Sequence, residues 1–137
     1  MWLAFASGSA IFAGLTAILA KCGIKNTDSN VATALRTIVV LIFSWIMVFI
    51  VGAQNEVGSV SGKVLIFLIL SGFSTGASWL CYYRTIQTWP ASIVVPIDKL
   101  SILVTIAFSY VVFHEKLSLK AGGGLVLIVA GTLMLLL

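Results

Sequence analysis

Residues 31–51 read VATALRTIVVLIFSWIMVFIV, and Arg36 is the only charge among them. As a helix rising 1.5 Å per residue, this stretch is about 31 Å long, which matches the hydrocarbon core of a bilayer. A barrel strand would be shorter and would alternate, and no period of two appears. The stretch therefore reads as a transmembrane helix, and the rest of the chain is read around it.

Composition agrees. The chain has 137 residues, of which 61% are hydrophobic and 9% charged, with mean hydropathy +1.18. A soluble domain of this size could not cover so much apolar surface with so little polar surface, so lipid is the solvent for most of it. The formal charge of +4 raises the question of nucleic acid. The cations are scattered between apolar segments rather than gathered on one face, which excludes a nucleic-acid surface and is ordinary beside membranes. Cys22 and Cys81 match no metal spacing and form no disulfide framework. No cofactor motif and no metal-ligand set is present. Trp2 opens an apolar run without a cationic leader or a clean cleavage site, so the first segment reads as a retained span.

Five spans emerge, at about residues 2–20, 31–51, 63–87, 91–113 and 118–137, which makes the expected fold all-α and integral to the membrane. NTDSN (26–30) is a connection in which Ser29 or Asn30 could cap the second helix. GAQNEVGSVSG (52–62) reads as a polar turn. Pro90 suits the first turn of the fourth helix. HEKLS (114–118) is a charged turn with Ser118 as a cap, and a solvated loop is the expectation for His114 and Glu115. Short connections imply antiparallel, packed neighbours in one domain, 1–137. An odd number of spans puts the termini on opposite faces. Lys21, Lys25 and Arg84 then lie at one face, and Lys63, Lys116 and Lys120 at the other. Cation imbalance normally sets orientation. Near balance leaves two readings: one or two residues decide, or the chain inserts both ways and pairs antiparallel, as in transporters with inverted halves.

Small residues recur at helical spacing: Ala6, Ala10 and Gly14, then Gly72 and Gly76, then Gly124 and Gly131. They allow close helix approach, either inside one bundle or at a subunit interface. Trp2 and Trp89 suit the membrane surface, whereas Trp45 and Trp79 fall within spans. Trp79, Tyr82 and Tyr83 project to neighbouring positions of one helix and form either packing or the wall of a pocket beside Arg84.

VVPIDKLSILV (94–104) carries the second question. Asp98 and Lys99 fall ~11–12 Å inside the fourth span. A charge near mid-membrane costs ~2.5–3.5 kcal/mol on insertion scales. Lys99 can snorkel, but Asp98 is too short. It must be protonated, be paired, or face water. Arg36, ~8 Å inside the second span, and Arg84, near the end of the third, fall in the same half of the membrane. Pro96 removes one helical hydrogen bond beside them. Such breaks survive where they are buried in protein or line a cavity. The group forms either a structural ion pair or a polar cavity for a solute. The candidate substrate-binding residues are Arg36, Trp79, Tyr82, Tyr83, Arg84, Asp98 and Lys99, with Pro96 as hinge. No catalytic arrangement is present, so an enzyme is not expected.

YYRTIQTWPASIVVPIDKLS (82–101) and FHEKLSLKAGGGLVLIVAGTLMLL (113–136) resemble an EamA unit of the drug/metabolite transporter superfamily. The features are Tyr83, Pro90-Ala91-Ser92, Pro96 and Glu115. His114 stands where a glycine is common, and Ser101 lies where many relatives have a second proline. The resemblance implies a five-helix half-unit. Most relatives carry two such units of opposite topology in one chain and move small organic solutes. A one-unit chain would pair to match them. The expectation is therefore an inner-membrane, multi-pass, homodimeric carrier, probed against the alternative of an assembly partner that needs another chain.

Overall fold

A computed structural model of the chain describes residues 1–114 and 116–137, so the expectations for Glu115 lie outside the described residues. Six α-helices follow one another among the described residues: α1 (Trp2–Gly23), α2 (Ser29–Val51), α3 (Gly62–Thr88), α4 (Ala91–Asp98), α5 (Ser101–Phe113) and α6 (Leu119–Met134). No strand occurs among the described residues. α1, α2, α3 and the run Ala91–Phe113 are each long and apolar enough to cross a membrane, and α6 is a shorter apolar helix of 16 residues. Large apolar side chains point outward along them, with Ile50 71% and Phe67 68% exposed. Water would not tolerate that surface over helices of this length, and lipid does. The protein is an all-α, multi-pass membrane protein.

Local chemistry sets the helix ends. Asp28, rather than Ser29 or Asn30, caps α2: its Oδ1 accepts from the backbone N–H groups of Asn30 at 2.8 Å and Val31 at 3.4 Å. A carboxylate there also suits the positive end of the helix dipole. Gly52 closes α2 in the left-handed conformation, φ 77°, where the missing Cβ removes the steric penalty. The connection expected as a simple turn winds into a 3-10 helix, Ala53–Ser59. Pro90 precedes α4 as its N-cap, and Ser118 caps α6 by accepting from the Ala121 N–H at 3.2 Å.

The run Ala91–Phe113 is one apolar length in two helices. Pro96 lies inside α4, where it withholds the N–H that would meet the Ser92 carbonyl. The helix persists to Asp98 and changes at Lys99–Leu100. There Leu100 N–H bonds to Ile97 O at 3.0 Å, and Ile102 N–H to Lys99 O at 3.1 Å. These bonds span three residues rather than four, which is the tighter 3-10 winding. At the far end of α5, His114 takes φ 52°. A left-handed position favours glycine, so His114 holds a backbone conformation that its Cβ makes costly.

The chain divides into two compact units, residues 18–87 and residues 1–17 with 88–137. In the second, α4 packs against α6, and Ala17, Val94 and Thr132 are buried. In the first, the buried residues are Ile24, Ser29, Thr33, Tyr83 and Ile86. They mark the end where the α1–α2 connection meets the end of α3. Lys21 Nζ donates to the Ile86 carbonyl at 2.6 Å. Gln87 Nε2 donates to the carbonyls of Ile24 at 3.2 Å and Thr27 at 2.9 Å. The last carbonyls of α3 have no helical N–H of their own, so a cation suits them.

Candidate solute site

Away from that tied end, α2 and α3 stand apart and leave a groove of about 490 Å³. α2 supplies Thr37, Val40, Leu41, Ser44, Trp45 and Val48, and α3 supplies Leu68, Ser71, Gly72, Thr75, Gly76 and Trp79. Both sets recur at three- and four-residue steps, so each is one face of its helix. Gly72 and Gly76 keep the α3 wall low: a Cβ at either would meet nothing within 4 Å. The volume lies within the usual range for small-molecule sites.

Three of the polar groups in the groove are of one kind. Thr37 Oγ1 donates to Thr33 O at 2.8 Å, Ser44 Oγ to Val40 O at 2.8 Å, and Thr75 Oγ1 to Ser71 O at 2.9 Å. Each hydroxyl has a single proton. With that proton given to the backbone, these three present only acceptor lone pairs. No carboxylate lines the groove.

One cation stands at its end. The Arg36 guanidinium carbon lies 4.4 Å from the centre of the Trp79 ring and 5.5 Å from that of Tyr83. Trp79 is also a groove residue, so the stack and the groove share a wall. Tyr83 is buried, and the Tyr82 ring meets it edge-on with centroids 6.0 Å apart. Of the sequence candidates, Arg36, Trp79, Tyr82 and Tyr83 thus meet around one point. Arg84, on the same helix, is exposed. In the other unit, Asp98 and Lys99 form an ion pair, Oδ2 to Nζ 3.7 Å, with Asp98 37% and Lys99 58% exposed. They sit where the α4–α5 winding tightens after Pro96.

The groove residues Thr37, Ser44, Trp45, Ser71 and Thr75 were not among the sequence candidates. Trp45 carried a legible signal, since a tryptophan inside a span is away from the interfacial belts. Lys21 and Gln87 carried none, because their partners are backbone carbonyls.

The EamA-like transporter family model matches residues 1–137. The chain belongs to the EamA-like transporter family. An uncharacterized transporter encoded in the cobO 3' region of a Sinorhizobium species is 40% identical over 134 residues, covering 98% of this chain and 95% of that one. An uncharacterized protein of Methanocaldococcus jannaschii is 30% identical over 103 residues, covering 69% of this chain and 75% of that one. No solved structure gives a significant match. Within this family of membrane transporters, a groove with aromatic walls and one cation is the natural place to look for a solute.

Proposed function

We propose that this EamA-like protein carries small organic solutes by alternating access, as a homodimer of two five-span units in a cell inner membrane. The α2–α3 groove with Arg36 at its end carries the reading. It is concave, has the volume of a small-molecule site, and combines apolar walls with a few placed polar groups. Arg36, Trp79, Tyr82, Tyr83 and Arg84 in residues 18–87 are solute-binding residues, as are Asp98 and Lys99 in the other unit, and Pro96 with the tightened turn at Lys99–Leu100 forms the hinge. Lipid surrounds the dimer, and neither cofactor nor metal enters the cycle.

Two observations favour pairing. The Sinorhizobium relative is matched over 95% of its own length, so that protein is one such unit. Cations are also balanced between the two expected faces, which suits antiparallel insertion.

The test is purification in mild detergent, mass measurement, and reconstitution into liposomes with a metabolite panel. Dimers that move at least one solute are expected. A strict monomer that moves nothing would replace this reading with an assembly partner awaiting another chain. Reporters on each terminus, active on one side only, test insertion. Signal from both faces for the same terminus is expected, and one face alone would leave a parallel or single-orientation assembly.

A further inference from the structure

Arg36 is held by two aromatic rings. Its guanidinium carbon lies near the centres of Trp79 and Tyr83, yet within residues 18–87 no hydrogen bond or ion pair engages its guanidinium. A guanidinium has five N–H donors in a planar fork that fits two oxygens of one oxyanion. The two ring contacts hold the guanidinium in place without using its N–H donors in a hydrogen bond, which leaves the fork available. Within residues 18–87 the acids are Asp28, which caps α2, and Glu56, in the 3-10 helix Ala53–Ser59, and neither lines the groove. Arg36 stands half-buried beside this apolar groove with no counter-charge paired to it within residues 18–87, so an occupant that brings one negative charge gains what the protein has left unsatisfied.

The groove beyond Arg36 defines the rest of the occupant. Trp45 and Trp79 offer flat apolar contact. The hydroxyls of Thr37, Ser44 and Thr75 offer acceptors, because their protons are committed to the backbone. An occupant with a hydroxyl or N–H on its apolar body satisfies them. One bearing a second negative charge finds no second cation, only the Ser71 hydroxyl and the indole N–H groups of Trp45 and Trp79 as further donors. An ammonium group would find acceptors along the walls but Arg36 at the end, where like charges repel.

We infer that the α2–α3 groove takes a small organic monoanion, its oxyanion on the edge of Arg36 and its apolar, donor-bearing body between Trp45 and Trp79. This rests on the transporter reading above and narrows it to one charge class. Carboxylate and phosphate monoester share the required oxyanion.

The probes are three molecules with one body: 4-hydroxyphenylacetate, 4-hydroxyphenylacetamide and tyramine. Binding is measured by calorimetry on the unmodified protein in lipid nanodiscs, and uptake in liposomes. The acetate should bind at least tenfold more tightly than the amide, and tyramine should bind weakest. Arg36→Gln should remove the preference between acetate and amide, and Arg36→Lys should keep part of it. A phosphate monoester of the same body should compete with the acetate. Equal binding of acetate and amide, or preference for tyramine, overturns the inference even if Arg36→Gln fails to fold, because the unmodified protein decides it. Tight, charge-blind filling of the groove by lipid also overturns it. Movement of tyramine or of a neutral solute would sink the charge class and leave the carrier reading standing, whereas movement of no solute of any charge would remove both.

Discussion

Gly76 offers a change in which stability and transport are expected to move in opposite directions. It lies within α3 and lines the groove, and a Cβ there meets nothing within 4 Å. Gly76→Ala therefore displaces nothing in the chain, and the leucine of Gly76→Leu starts from the same open position on the groove wall. Gly76→Leu replaces the poorest non-proline helix former by one close to alanine, so the helix gains about 0.5–1 kcal/mol. The new side chain occupies the same 490 Å³ that a solute would use. Gly76→Ala brings nearly all of the helix gain with one methyl group instead of four carbons. The expected order is thus equal stabilisation of both variants, modest loss of transport for Ala, and a loss of roughly tenfold or more for Leu. Circular dichroism during detergent unfolding reads the first quantity, and liposome uptake the second. Two results would refute the reasoning. If both variants are stabilised and transport is unchanged, solute does not pass through this groove. If Gly76→Leu lowers stability and splits a dimer, the low α3 wall is a helix-packing surface for a second copy.

Further outcomes follow from other parts of the fold. Gln87→Leu deletes two hydrogen bonds that tie α3 to the α1–α2 connection, and unfolding titration should show a loss of about 1–3 kcal/mol. His114→Gly relieves a non-glycine residue at φ 52°, and the same titration should show a gain of about 0.5–1 kcal/mol, less if the looser unfolded chain offsets it. Pro96→Ala restores an N–H for the Ser92 carbonyl, so uptake should slow while calorimetric affinity stays within about twofold; an unchanged rate would remove Pro96 from the hinge. Asp98→Asn should abolish uptake with the dimer intact. Failure to assemble would instead make the Asp98–Lys99 pair structural.

The sequence carried the fold class plainly, because runs of lipid-compatible residues leave few alternatives to a helix. Cap chemistry was legible at Ser118. It was misplaced by one or two residues at α2, where the carboxylate of Asp28 reaches two N–H groups and wins over its hydroxyl and amide neighbours, Ser29 and Asn30. Residues 53–59 were expected as a turn, since nothing in AQNEVGS shows a helical period. The aromatic set Trp79, Tyr82 and Tyr83 could be read from spacing along one helix. Its meeting with Arg36 could not, because that depends on which faces of α2 and α3 turn toward each other. The serine and threonine residues of the groove look like ordinary membrane hydroxyls in sequence. Only the vacancy between the helices gives them a part. Lys21 reads as a juxtamembrane charge, and its bond to a carbonyl of α3 leaves no trace in the order of residues.

The account depends most on water reaching a cleft walled by α2 and α3 inside the lipid. Replacing Cys22 and Cys81 by serine and placing single cysteines at Ser44, at Phe43 and at Ser59 tests this with a membrane-impermeant thiol reagent. Ser44 lines the groove, Phe43 is 64% exposed on the outer surface, and Ser59 ends the 3-10 helix. The account predicts labelling at 59 and at 44, none at 43, and protection of 44 by a transported solute. Labelling at 59 with neither 44 nor 43 reacting would contradict it, for it would mean that the cleft is filled by lipid or by another helix.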